Sequence, residues 1–102
     1  MRLSKQQSRR RWAEARELWC KWDPIGVMSM PDWPRDEYDS YVGPTLRLLE
    51  SGASLQTLSQ YLAQVELGHM GLSDSRQARS SRLAFAAELR EWYEKHWAGS
   101  RV

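Results

Sequence analysis

Two histidines, one cysteine and thirteen carboxylates are the groups in this 102-residue chain from which a reactive site could be assembled. His69 and His96 are too far apart in sequence to share one helical face as a metal-ligand pair. Cys20 has no histidine near it and lies among tryptophans, the setting of a small buried hydrophobe rather than of a nucleophile. No phosphate-cradling glycine loop, nucleophile elbow or zinc signature occurs. The expectation is therefore a non-enzymatic chain that needs no cofactor or metal.

Recognition chemistry is better represented. Asp32, Trp33, Asp36, Glu37 and Asp39, together with Tyr38, bring four acids and two aromatic rings into eight residues. Aromatic anchors in a charged rim are the usual composition of a protein-binding hot spot. The plainer account is a solvated helix start, where the helix dipole favours acids. Arginines form two clusters, Arg9–Arg11 and Arg76, Arg79 and Arg82. Both could meet nucleic-acid phosphates, but no helix-turn-helix, RNP or zinc-finger pattern accompanies them. The second cluster sits where a helix dipole disfavours positive charge, which points to pairing with acids, most economically those of residues 23–53. A third motif, Trp22-Asp23-Pro24-Ile25-Gly26-Val27, reads as a helix exit and a structural turn. For it to serve in binding, the Trp22 edge and the Asp23 carboxylate would have to be exposed.

Four helical segments must position these groups. Trp12, Ala15, Trp19 and Trp22 recur at helical spacing over residues 8–22, with Arg10, Glu14, Glu17 and Lys21 on the opposite face. Asp23-Pro24 ends this helix. A connector with Pro24 and Pro31 leads to a second helix expected to open near Pro34, with Tyr38, Tyr41, Val42, Leu46 and Leu49 along one side. Gly43-Pro44 should kink or break it. Ser54 is placed to cap the third helix, whose stripe is Leu55, Leu58, Leu62 and Val65 and whose stop is Gly68. The fourth helix should begin at Ser73 or Asp74 and run to about Trp97, with Ala78, Phe85, Leu89, Trp92 and His96 inward. Leu83, Ala86, Ala87 and Trp97 add apolar girth that suits either core packing or a homodimer seam. No strand-like alternation or internal repeat occurs.

The expected fold is thus all-α, a small four-helix bundle-like domain with a kinked second helix. Residues 1–7 form a basic arm, residues 8–98 the domain and residues 99–102 a tail. Six tryptophans against one phenylalanine supply large side chains for a core of this size. The net charge of +2 conceals segregation: residues 1–22 carry seven Lys/Arg against two acids, and residues 23–53 carry two against six. No apolar run suits a secretory leader or a membrane span, and the single cysteine precludes an internal disulfide, so a cytoplasmic location is expected.

The Trp-Asp-Pro-Ile-Gly stretch, together with Asp36-Glu37-Tyr38-Asp39-Ser40-Tyr41, Leu48-Leu49 before Ser51-Gly52-Ala53-Ser54, and Met70-Gly71-Leu72, resembles a group of short bacterial proteins of unknown function. The resemblance spans roughly Leu18 to Leu72 and implies a compact helical domain. It implies no reaction. The functional expectation is a protein-binding module, in concrete form an immunity- or antitoxin-like inhibitor whose acidic patch faces a basic partner. The alternative is a nucleic-acid-associated regulator using Arg9, Arg10, Arg11, Arg76, Arg79 and Arg82.

Overall fold

In the computed structural model, which describes residues 3–98, the first helix is signed by Ser4. The Ser4 Oγ accepts the Gln7 N–H at 3.1 Å while the Gln7 Oε1 accepts the Ser4 N–H at 2.9 Å, a reciprocal cap. Helix α1 accordingly runs Lys5–Trp22. Residues 5–7 of the expected N-terminal arm therefore belong to this helix, because Gln7 stands three residues after a serine, and residues 1–2 of the arm lie outside the described residues. Ala15 and Trp19 are fully buried, and Trp12 and Trp22 are partly so.

Helix α2 spans Asp39–Glu50 and starts five residues later than its proline and acids suggest. Residues 34–38 form turns instead, and the N-cap position, Tyr38, provides no side-chain cap. The expected break at Gly43-Pro44 is absent, and the helix is continuous across both residues. Thr45, in the following turn, donates its hydroxyl to the Tyr41 carbonyl at 2.7 Å and accepts the Trp19 indole N–H at 3.1 Å. This polar pair lies in the core, with Thr45 and Trp19 both inaccessible to solvent, and it satisfies the one polar atom of the largest core side chain.

Helix α3 spans Leu55–Ala63, capped by Ser54 as expected through the Thr57 N–H at 3.1 Å. Gly68 does not stop it. The helix widens into a π-helical segment, Gln64–His69, that buries both Val65 and Glu66. The Met70 and Leu72 N–H groups close this end by reaching back to the Val65 and Glu66 carbonyls at 2.9 and 2.8 Å. The left-handed residue that the closure needs is Gly71, with φ +65°.

Helix α4, Arg76–His96, is capped by the Ser75 hydroxyl, which accepts the Ala78 N–H at 3.0 Å. Its inward stripe is Arg82, Phe85, Ala86, Leu89 and Tyr93, continued by Trp97. The expected stripe thus shifts by one position near the C-terminus: Trp92 is half-buried and His96 exposed. Ala86 and Trp97, considered for a seam, belong to the core, whereas Leu83 and Ala87 face outward.

The protein is an all-α bundle with no strand among the described residues. Its core is centred on Trp19, whose ring lies 5.4 Å from Tyr41, 5.4 Å from Phe85 and 5.9 Å from Tyr38. Trp22 stacks on Phe85 at 4.4 Å. Glu14, expected on the solvated face of α1, accepts the indole N–H groups of Trp92 and Trp97 at 3.0 and 3.1 Å and so ties α1 to α4. Principal extents of 41 × 32 × 19 Å describe a flattened body. No described helix is long and apolar enough to cross a membrane. Residues 99–102, expected as a tail, lie outside the described residues.

Candidate functional site

Between α1 and α2 the chain runs through sixteen residues, 23–38, without regular helix. Pro24, Pro31 and Pro34 lack the N–H groups a helix would use, and the segment folds as successive tight turns. Backbone bonds close these turns from Gly26 to Asp23 at 3.0 Å, from Met30 to Val27 at 3.0 Å and from Trp33 to Met30 at 3.2 Å. Asp23 leaves α1 in the left-handed conformation, φ 47°, which Asp tolerates because its short side chain can bond locally.

That side chain holds the segment together. Asp23 Oδ1 accepts the Val27 N–H at 3.0 Å and the Tyr38 hydroxyl at 2.6 Å, and Oδ2 accepts the Met28 N–H at 3.1 Å. The Tyr38 hydroxyl in turn accepts the Ile25 N–H at 3.1 Å. Tyr38 itself is inaccessible to solvent. Burial pushes the Asp23 carboxyl up, but hydrogen bonds from Tyr38 and from the Met28, Val27 and Gly26 N–H groups outweigh it and hold the group below the usual carboxylate range. Burial, reinforced by the bond to Asp23, pushes the Tyr38 phenol well above its ordinary range. The Trp22 indole is likewise engaged, donating to Ser81 Oγ at 2.9 Å. The Trp-Asp-Pro-Ile-Gly motif is thus a clasp that joins the two ends of a compact loop, with Val27 buried and Ile25 and Met28 packed on the core.

The clasp presents a tip. Met30 and Trp33 are 48% and 38% exposed, two of only four large apolar side chains so exposed among the described residues. Asp32 and Asp36 are exposed beside them and form no ion pair among the described residues. Of the other two acids expected in this patch, Glu37 accepts the Trp33 indole N–H at 3.1 Å and so orients that ring. Asp39 turns inward to an ion pair with Arg16 at 2.8 Å. The loop is docked on α1 by Arg16, which donates to the Arg35 carbonyl at 2.8 Å, and Arg35 donates to the Met28 carbonyl. The acidic patch of five expected side chains thus reduces to Asp32, Trp33, Asp36 and Glu37, joined by Met30, which sequence reasoning missed. Methionine between prolines carries no periodic signal.

The arginines are distributed differently from the expectation. Arg10 pairs with Glu14 at 3.7 Å and lies over the Trp97 ring, and Arg11 pairs with Glu50. Arg79 pairs with Asp74 at 3.1 Å. Arg82 is buried and pairs with Glu66 at 2.9 Å and Asp74 at 3.4 Å. Of the acids of residues 23–53, Asp39 and Glu50 therefore meet α1, while the α4 cluster is answered by residues 66 and 74. Lys21 meets Glu88 at 3.2 Å, and Glu14 meets Trp92 and Trp97, so α1 and α4 run antiparallel. The two arginine clusters consequently occupy opposite ends of that pair, and only Arg9 and Arg76 of the six have no carboxylate partner among the described residues.

Concave surface flanks α4. A groove of about 590 Å³ between α1 and α4 has Trp22 and Phe85 among its lining residues. Another, of about 360 Å³, is lined by Glu14, Glu17, Leu18, Lys21, Trp92 and His96. His96 shares this groove with two glutamates but forms no ion pair with them, and His69 lies exposed with its ring edge-on to Tyr41. Among the described residues no cluster of three metal-capable side chains occurs. Cys20 is half-buried, and burial, with Asp39 and Asp23 adding to it against Arg16 and Arg35, raises its thiol. Alkylation of Cys20 at neutral pH is expected to run about tenfold slower than that of an exposed free thiol, measured by mass spectrometry against the urea-unfolded chain. Equal rates in the two states would contradict its burial. No family model matches the chain, and no curated protein or solved structure matches it.

Proposed function

We propose that this chain is a non-catalytic protein-binding module that uses the tip of the 23–38 loop, in concrete form an immunity- or antitoxin-like inhibitor of a basic partner. The observation that carries the reading is a segment of tight turns, without regular helix, that a carboxylate clasp holds together while it displays Met30 and Trp33 to solvent. Loops longer than about 12–15 residues without secondary structure are uncommon in compact domains and are usually functional. Pre-ordering the loop lowers the entropy lost on binding, and an aromatic ring fixed by Glu37 is a suitable anchor. The unpaired Asp32 and Asp36 would steer a cationic surface toward it. The pairing of four of the six candidate arginines, and the separation of the clusters, weigh against the nucleic-acid reading.

The test is affinity capture from the native cell with the wild-type chain and with a Met30→Ala/Trp33→Ala/Asp32→Asn/Asp36→Asn variant in parallel. A captured protein is expected to be depleted at least tenfold on the variant, a loss of about 1.4 kcal/mol or more, and to crosslink to a photoreactive residue at position 33. Equal capture by both baits would overturn the reading. A retained fraction that nuclease abolishes, with a salt-sensitive gel shift, would favour the arginine alternative instead.

A further inference from the structure

The outward side of α4 has the pattern of a helix that meets a copy of itself. Ser80, Leu83, Ala84, Ala87 and Glu91 are all exposed and recur at three- and four-residue spacing, opposite the buried Phe85–Leu89–Tyr93 stripe. Leu83 is 48% exposed, among the most exposed large apolar residues described. Beside it, between α3 and α4, opens a groove of about 500 Å³ lined by Leu55, Ala87, Arg90, Glu91, Glu94 and Lys95. Small residues on this ridge let a second helix approach to about 8 Å between axes.

Charge selects the occupant and its direction. Along this exposed side Arg76 and Arg79 stand at the N-terminal end and Glu91 and Glu94 at the C-terminal end. Among the described residues Arg76 and Glu91 have no ion-pair partner, while Arg79 is held by the exposed Asp74 at 3.1 Å and Glu94 by Arg90 one turn away at 3.5 Å. We propose that two copies associate antiparallel through α4, about a twofold axis passing between Leu83 and Ala87. That placement sets Arg76 and Arg79 against the partner's Glu94 and Glu91, and does so twice by symmetry. Each Leu83 then lies beside the partner's Ala87, at the mouth of the α3–α4 groove. A parallel pairing would oppose like charges at both ends of the helix, so the same residues that favour one arrangement reject the other. The residues of this contact include none of the loop tip.

Sedimentation equilibrium of the full chain tests the proposal. The wild type is expected to show reversible dimerisation, and Leu83→Glu to abolish it. The double variants Arg76→Glu/Arg79→Glu and Glu91→Arg/Glu94→Arg are each expected to weaken self-association at least tenfold, with helical content unchanged because all these side chains are exposed. Mixed in equal amounts, the two charge variants should associate again, since each then meets the opposite charge. A wild type that stays monomeric at millimolar concentration overturns the proposal. So does dimerisation indifferent to Leu83→Glu, or a mixture that associates no better than its components.

Discussion

Arg82→Ala is expected to lower the unfolding free energy by about 3–5 kcal/mol, a large part of the roughly 5–15 kcal/mol that stabilises a domain of this kind. Arg82 and Glu66 lie 2.9 Å apart with side chains only 7% and 8% exposed. Removing the guanidinium leaves the Glu66 carboxylate buried without its partner, and the loss measures that uncompensated charge more than any attraction. Asp74, the other acid on Arg82, is 40% exposed and can be solvated by water instead. Arg82→Lys should cost less than alanine but not nothing, since an ammonium lacks the planar fork that meets two carboxylates. The informative comparison is Arg82→Met with Glu66→Leu, which removes both charges and should recover most of the stability lost by either alone. Urea titration measures each of these variants, with the two single changes of the double variant beside it. A stability for Arg82→Ala within about 1 kcal/mol of wild type, the range of an ordinary surface change, would contradict the buried pair.

The second large effect is expected at the clasp. Asp23→Ala deletes the acceptor for two backbone N–H groups and the Tyr38 hydroxyl, and should cost about 2–4 kcal/mol. The same site should shape the pH dependence on both sides. The Asp23 carboxyl is held below its unfolded value of about 3.9, so its contribution is fully present above that pH and is lost as pH falls through the lower folded value. The Tyr38 phenol is held above its unfolded value of about 10, so its contribution is present below that pH and is lost as pH rises beyond it. Asp23→Asn should flatten the acid limb and Tyr38→Phe the alkaline limb, each also weakening the other limb, because the Tyr38–Asp23 bond contributes to both shifts. Chemical denaturation at a series of pH values reads both slopes, and limbs unchanged in these variants would remove the clasp from the account. Because the clasp orders the loop, Asp23→Ala should also weaken whatever the loop tip binds without touching the tip itself.

Much of the helical architecture was legible because it is local. Trp12, Ala15, Trp19 and Trp22 declare a face by spacing alone, and Ser54 caps α3 from three residues away. The errors came where a local signal competed with a distant partner. Pro34 followed by Asp36 and Glu37 imitates a helix start, yet residues 34–38 stay in turns because Arg35 reaches back to Met28 and Tyr38 to Asp23. Glu14 looked solvent-facing because its partners, Trp92 and Trp97, lie at the far end of the chain. The π-helical widening after Ala63 accompanies the Glu66–Arg82 contact, and no three- or four-residue periodicity announces hydrogen bonds that span five residues.

The amino-acid sequence by itself determined that the chain is helical, where its aromatic stripes lie and how its charge is segregated. These follow from side-chain spacing on a fixed 3.6-residue turn and from composition. Which charges find a partner depends on how the loop and the helices pack. Asp39, Arg11, Arg79 and Arg82 are answered within the chain, while Asp32, Asp36, Arg76 and Glu91 have no ion-pair partner among the described residues. The physical reason is distance: a helical period acts over three or four residues, whereas an ion pair or a clasp depends on which remote segments the packed core brings within a few ångströms.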